Sequence, residues 1–378
     1  MSFQSIHTAD DARRIARRKL PRLVFDYIDG AAGTESGAAR NRRALTDVEL
    51  QPRALRHVVE RSLKTKLLSS EWSAPFGVAP MGMCGLSHPK ADQLLAEACV
   101  ERGLPIGLST AASMSIEDMA RHAGSNAWFQ LYANPSVDQT NALVGRAEKA
   151  GYKTLILTVD VPEVAQRAKD IRNGFKMPFR IGPKQFLDFA THPTWSLSML
   201  ANGAPRPENF YTNGNDGFDR HGSRAWADWD YFARLREEWK GELIVKGVTS
   251  TEDAKRMQAE GADGIWVSNH GGRQLDSAPA AITTLPHIRT AVGPDFPVLF
   301  DSGVRNGEDV VSALAMGANF VMLGRPLLFA MAAGGRQALG NVLDTITSEV
   351  STTMAQIGVS KVEEIDRNCL TSALKRLA

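Results

Sequence analysis

The residues Ser268-Asn269-His270-Gly271-Gly272-Arg273-Gln274-Leu275-Asp276 directly follow a short apolar run at 264–267 that reads as a buried strand. A histidine and an arginine three residues apart, separated by two glycines just past a strand end, set a proton acceptor beside a fixed positive fork. That pair suits removal of a proton from a small molecule whose carboxylate is clamped next to it. Asp160 follows another apolar run, at 154–158. By itself it reads equally as a helix cap. Paired with His270 it becomes the carboxylate that orients the imidazole and stabilises its protonated form.

Such a pair needs elements to hold it. Short β-rich apolar runs recur at 76–79, 105–109, 128–132, 154–158, 243–246, 264–268, 297–301 and 319–323. Segments of helical period lie between most of them, at 91–102, 116–122, 140–150, 251–260 and 307–316. Gly103, Gly151, Gly261 and Gly317 read as helix stops. Eight strands, each followed by a helix, predict an α/β fold of the (β/α)8 TIM-barrel type, with an N-terminal helical extension and a long insertion after the fourth strand. A doubly wound sheet is the alternative. It would usually show fewer strands and a glycine-rich first turn, and no G-x-G-x-x-G follows any strand. The expected organisation is one domain over 1–378, comprising an extension at 1–70, a barrel at 71–335, an insertion at about 175–229 and C-terminal helices at 336–378. The insertion shows no clear periodicity beyond a helix-like piece around 195–200, and reads either as a lid or attachment surface or as a poorly ordered segment.

In a barrel of this kind chemistry collects at the C-terminal strand ends. In chain order these carry Pro80, Met81 and Gly82; Ser109; Gln130 and Tyr132; Thr158, then Asp160 and Arg167; Lys246; Ser268, His270 and Arg273; Asp301, Ser302, Gly303 and Arg305; and Gly324 and Arg325. So many polar groups on one face are costly unless a large polar ligand meets them. Lys246 reads as an amine nucleophile, a fixed cation or an ordinary snorkelling lysine. Gly303, Arg305, Gly324 and Arg325 match a phosphate site in the last two loops, with plain turn glycines as the alternative. Tyr27, well before the barrel, reads on its own as a core tyrosine.

Composition narrows the classes. Over 378 residues, 44 basic and 42 acidic side chains give a net charge of +2 with both signs mixed, which argues against a nucleic-acid partner. Three widely spaced cysteines without a CxxC pair support neither a disulfide framework nor a metal site. A reducing, cytoplasmic setting is the expectation. No stretch approaches the roughly 20 continuous apolar residues of a membrane span, and residues 1–20 lack the apolar run of a signal peptide.

Taken together these residues resemble the FMN-dependent L-2-hydroxy acid oxidising family, which includes glycolate oxidase, flavocytochrome and bacterial L-lactate dehydrogenases, and (S)-mandelate dehydrogenase. The motifs are LPRLVFDYIDGAAGTE at 20–35, WFQLY at 128–132, LTVD at 157–160, VKGV at 245–248, SNHGGRQLD at 268–276, DSGVRNG at 301–307 and LGRP at 323–326. The resemblance spans the chain from about residue 11 onward. It implies an FMN cofactor, His270 as base supported by Asp160, and Tyr132 at the substrate hydroxyl. It also implies Arg273 and Tyr27 on the substrate carboxylate, with Arg167 a mobile second arginine, and so reverses the bland reading of Tyr27. Pro80, Met81, Gly82, Ser109, Gln130, Thr158, Lys246 and Ser268 are then expected on the flavin, and Asp301, Ser302, Gly303, Arg305, Gly324 and Arg325 on its ribityl chain and phosphate.

Departures within the resemblance point to a subclass. Gly82 stands where oxygen-using oxidases more often carry Ala, which favours a dehydrogenase passing electrons to quinone or another separate acceptor; a peroxide-forming oxidase is the alternative. Ala111 stands where short-chain glycolate oxidases have Trp, which opens room for a bulkier side chain. Residues 108–118 look like mandelate dehydrogenase and residues 79–85 more like bacterial lactate dehydrogenase, so lactate and mandelate both stay open. Family resemblance also implies a homotetramer. The insertion carries Trp195, Met199, Leu200, Trp226 and Trp229, with five basic and five acidic residues over 180–229. Peripheral contact with the cytoplasmic face of the inner membrane would therefore rest on apolar groups.

Overall fold

The computed structural model describes residues 6–134, 136–177, 179–210 and 224–372. Three helices come first: α1 (Ala9–Lys19), α2 (Arg22–Asp29) and α3 (Ser36–Thr46). A hairpin of β1 (Thr65–Leu67) and β2 (Ser70–Trp72) leads into the barrel strands β3 (Phe76–Met81), β4 (Ile106–Ser109), β5 (Ala127–Tyr132), β6 (Thr154–Thr158), β7 (Glu242–Val248), β8 (Gly264–Val267), β9 (Val298–Phe300) and β10 (Phe320–Leu323). These eight close in the order β10-β3-β4-β5-β6-β7-β8-β9 with parallel pairing throughout, so the expected TIM barrel is the fold.

Helices α4 (Ala91–Arg102), α5 (Ile116–Ala123), α6 (Val137–Lys149), α7 (Ala168–Asn173), α8 (Pro183–Ala190), α9 (Pro193–Asn202), α10 (Trp229–Glu238), α11 (Thr251–Ala259), α12 (Ala281–Val292), α13 (Gly307–Ala315) and α14 (Arg325–Ile357) complete the chain. Several start where a Ser or Asn hydroxyl or amide caps the first turn, as Ser115, Ser250 and Asn306 do for α5, α11 and α13.

Strand alternation sorts the barrel interior into layers. Ala79, Trp128, Ile156, Ile244, Trp266, Leu299 and Met322 form one apolar layer with Leu67 and Trp72 of the hairpin. Trp72 meets Trp128 edge-on at 6.0 Å, so the hairpin plugs the N-terminal end of the barrel. Burial of each such large side chain contributes about 1.5–3 kcal/mol. Two residues further along β3, β5, β6 and β7, and past the ends of β8 and β9, the same face carries Met81, Gln130, Thr158, Lys246, Ser268 and Asp301. The apolar floor thus supports a polar layer at the C-terminal mouth.

Two expectations are corrected. The insertion is not aperiodic over its described residues, which fold into α8 and α9 and a short turn at Glu208–Phe210, while 211–223 lie outside the described residues. Trp195 and Met199 are buried, at 7% and 8% exposure, and Trp195 Nε1 donates to Leu86 O at 2.9 Å. They anchor the insertion to the body and offer nothing to a membrane. In addition, Pro80 and Met81 belong to β3 itself and do not follow it.

Candidate active site

One cavity at the barrel mouth is lined by Tyr27, Pro80, Met81, Gly82, Ser109, Tyr132, Arg167, Lys246, His270, Arg273, Asp301, Ser302, Gly303, Arg305, Gly324 and Arg325. Three further residues expected at the site, Gln130, Thr158 and Ser268, are fully covered in the polar layer. Asp160 stands behind His270. The fold therefore gathers every residue singled out above, although their positions span 27 to 325 in the chain.

His270 Nδ1 lies 3.0 and 3.2 Å from the two carboxylate oxygens of Asp160. Burial alone would raise the pKa of Asp160, but the charge and hydrogen bond of His270 and the charge of Lys246 bring it below the usual value. An ionised carboxylate only accepts, so Nδ1 carries the hydrogen and Nε2 is the nitrogen left to exchange a proton at the cavity. Asp160 is thus no helix cap, and α7 begins only at Ala168.

The backbone under the histidine is unusual. His270 and Ser302 both take positive φ, 57° and 92°, a region non-glycine residues avoid. Hydroxyls hold these turns: His270 N donates to Ser268 Oγ at 3.0 Å, and Asn269 N and Gly271 N donate to Ser302 Oγ at 3.2 and 3.1 Å. Ser268 and Ser302 donate in turn to Asp301 Oδ1 at 2.6 and 2.7 Å. Lys246 completes this network, with Nζ 2.9 Å from Ser268 Oγ and 3.0 Å from Asp301 Oδ2. Burial would lower the lysine pKa, yet the charges of Asp301 and Asp160 raise it overall, so it stays a cation. That disposes of the amine-nucleophile reading, which needs the neutral form.

Arg273 and Arg325 share one anchor. The C-terminal carbonyls of α2 lack helical partners. Arg273 Nη1 donates to Tyr27 O and Gly30 O at 2.9 and 2.8 Å, and Arg325 donates to Ile28 O, Gly30 O and Gly271 O. The negative end of the helix dipole also favours these two cations. The Arg273 and Arg167 guanidiniums lie over the Tyr27 ring, 5.3 and 5.8 Å from its centroid, and the Phe175 ring stacks on Tyr27 at 4.4 Å. Arg305 and Arg325 are half-buried; burial and the charge of Arg305 push the pKa of Arg325 down to about 10, and burial and the charge of Arg42 do the same for Arg305. Two partly desolvated guanidiniums lining one cavity suit an anion.

The polar layer also calls for a ligand. Gln130 Nε2 and Oε1 and Thr158 Oγ1 are buried with no hydrogen-bond partner among the described residues. A planar group bearing both donors and acceptors would satisfy them.

Sequence reasoning passed over other wall residues. Phe175, Met177, Pro207 and Arg224 bring the insertion into the cavity, and Arg224 stacks over Tyr132 at 4.6 Å. Val161 and Val164 add to an apolar wall with Ala111. Nothing local marks these positions, because the insertion reaches the mouth only after folding back over it.

The family profile described as FMN-dependent dehydrogenase matches residues 16–372. The (S)-mandelate dehydrogenase of Pseudomonas putida is 38% identical over 373 residues, covering 97% of this chain and 94% of that protein. The L-lactate dehydrogenase of Pseudomonas syringae pv. syringae (strain B728a) is 37% identical over 383 residues, covering 98% and 99%. Among solved structures, that of monotopic membrane protein (S)-mandelate dehydrogenase superposes with a TM-score of 0.92 at 38% identity, covering 97% of this chain and 100% of that one. A mandelate oxidase solved with (S)-2-phenylpropionate gives 0.83 at 33% identity, covering 96% and 97%.

Proposed function

The chain belongs to the FMN-dependent dehydrogenase family, oxidoreductases that act on hydroxy acids, and from that premise we propose that it oxidises an L-2-hydroxy acid with a bulky or aromatic side chain to the 2-oxo acid, passing electrons to a quinone or another external acceptor. The observation that carries the reading is the shared cavity: a histidine oriented by a largely covered carboxylate, an arginine fork and a cationic layer open onto one space.

The residues fit FMN. Gln130 and Thr158 offer unpaired buried polar atoms to a flavin edge, Lys246 and Ser109 line the same floor, and Arg305 and Arg325 offer two cations to a phosphate. When bound, FMN supplies the two-electron sink of the reaction. Arg273, with Arg167 and the Tyr27 hydroxyl, binds the substrate carboxylate and so fixes which face of Cα is presented. His270 Nε2 takes the hydroxyl proton, and Asp160 stabilises the imidazolium that results. Desolvation at the site raises the pKa of Tyr132, so its hydroxyl is protonated and can donate to the substrate oxygen. Lys246 holds positive charge beside the cofactor floor.

Three observations support the finer choices. Ala111 beside Gly82, with Val161, Val164, Phe175 and Met177, lines an apolar wall whose chemistry suits a phenyl group. Both the mandelate and the lactate relatives named above are dehydrogenases by name, which favours an acceptor other than oxygen. An exposed apolar face on α8 and α9 supports peripheral membrane attachment, in keeping with the relative described as monotopic.

The test is anaerobic mixing with (S)-mandelate or L-lactate while the flavin band bleaches. Faster bleaching by mandelate is expected. His270→Gln should keep FMN and lose about 10²–10⁴-fold in bleaching rate. Undiminished bleaching in that variant would remove His270 as the base, and rapid turnover with air alone would make the enzyme an oxidase.

A further inference from the structure

The loop bearing the proposed base is fastened at both ends by a helix outside the barrel. Ahead of His270, Asn41 of α3 and Asn269 exchange amides: Asn41 Nδ2 donates to Asn269 Oδ1 at 2.7 Å, and Asn269 Nδ2 donates to Asn41 Oδ1 at 2.8 Å. Backbone donors fix both orientations, since Gly272 N donates to Asn269 Oδ1 at 3.1 Å and Ala281 N donates to Asn41 Oδ1 at 3.2 Å. Asn269 Nδ2 also reaches Pro279 O at 2.9 Å. Both side chains are buried, so none of these bonds is replaced by water if lost. Beyond Arg273, the Asp276 carboxylate accepts from Thr34 N at 2.9 Å, Thr34 Oγ1 at 2.9 Å and Gly37 N at 2.7 Å, around the first turn of α3. Between the two attachments Gly272 lies so near α3 that a Cβ there would fall 2.5 Å from Ala38 N.

We propose that α3 is the positioning element of the proton-removing loop and that Asn41 is its positioning residue, holding His270 in its left-handed turn against Asp160. The inference rests on the reading of His270 as the base. The barrel supplies Ser268 and Ser302 from below, but the strained φ of His270 needs a second support from above, and α3 is what packs there. Arg273 is held separately by the carbonyls of Tyr27 and Gly30, so disturbing Asn41 displaces the base more than the carboxylate clamp.

Asn41→Asp keeps the side chain's size and the acceptor used by Asn269 Nδ2 and Ala281 N. It sets a carboxylate oxygen against Asn269 Oδ1 where a donor stood. In the FMN-loaded enzyme, kcat should fall about 10- to 100-fold with KM within about threefold of wild type, because small displacements of a reacting group cost rate steeply. FMN content should be unchanged. Deuterium exchange at amides 269–272 should accelerate while α4 stays as in wild type. Leu95→Ala, in the buried core of α4, serves as the stability control, and Asn41→Ser is the second variant if the aspartate does not fold. A kcat loss no greater than in Leu95→Ala at a matched thermal midpoint, or unchanged exchange at 269–272, overturns the proposal. Wild-type rate in His270→Gln overturns the assignment of the base instead, and the exchange measurement then still reports whether α3 holds the loop.

Discussion

At the mouth of the barrel, single side chains do what they do because their neighbours fix a protonation state. Asp160 is held ionised by His270 and Lys246, and that alone selects the histidine tautomer. Desolvation moves the Tyr132 pKa further up from its ordinary value, so its hydroxyl remains a donor. On the proposed reading, substrate choice turns on one residue. Ala111 lines the cavity beside Gly82, so close that a Cβ on Gly82 would lie 3.1 Å from the Ala111 Cβ. Filling this corner removes room for a large side chain and leaves a methyl group untouched. Ala111→Trp is therefore expected to lower kcat/KM for (S)-mandelate relative to L-lactate by about tenfold or more, since loss of apolar fit of this size discriminates by that order. The ratio of the two kcat/KM values checks it, and an unchanged ratio would place the side-chain subsite elsewhere. At this scale the sequence was legible wherever chemistry sat in a contiguous run past a strand, as at 268–276 and 301–305. It was silent on Asn41 and Arg224, whose partners Asn269 and Tyr132 lie 228 and 92 residues away along the chain.

Among the elements, α4 carries a group that ties stability to pH. Asp92, in its first turn, is buried, and burial outweighs hydrogen bonds from Cys84 and from the Ser113 backbone to raise its pKa from 3.8 to about 6. In this range the folded protein binds a proton that the unfolded chain has released. Stability from this group thus falls as pH rises from about 4 to about 6 and is level above, by up to about 3 kcal/mol. Asp92→Asn removes the titration. Relative to wild type, the variant should gain stability between pH 4 and pH 7 in urea unfolding; a difference that stays flat with pH would show that Asp92 titrates normally. The elements themselves were read with uneven success. Eight barrel strands stood out because each is an apolar run with a polar end. The β1–β2 hairpin escaped because its strands have three residues each and its turn, Leu68-Ser69, lacks the usual glycine or asparagine. The helices of the insertion did carry start signals, Pro183 and Pro193 at their first positions, but their apolar residues face two ways and blur the period.

That two-sidedness matters for the whole molecule. One side of the α8–α9 pair packs inward through Phe179, Phe189 and Trp195, whose rings lie 5.3–6.3 Å apart. Asp188 of α8 accepts from Arg22 N and Leu23 N, so the pair is tied to the start of α2 and cannot turn its apolar side inward. The other side leaves Ile181, Phe186, Leu187 and Leu197 more than 60% exposed, and Leu200 81%. Lys184 and Asp188 are the charged residues over 181–202, so the face has little charge to oppose entry into a lipid surface. No helix among the described residues is long and apolar enough to cross a membrane, and the proposed attachment rests on this exposed face. The active-site wall supplied by Phe175, Met177 and Pro207 belongs to the same insertion. A membrane-bound acceptor would then meet the enzyme on the side where its cavity opens. Phe186→Ser, Leu187→Ser, Leu197→Ser and Leu200→Ser together remove apolar area worth about 1.5–3 kcal/mol per side chain if fully buried in lipid. The quadruple variant should lose flotation with lipid vesicles while bleaching with substrate at the wild-type rate, because none of the four lines the cavity. Retained flotation would move the attachment surface away from α8 and α9, and slowed bleaching would mean that this face also supports the site.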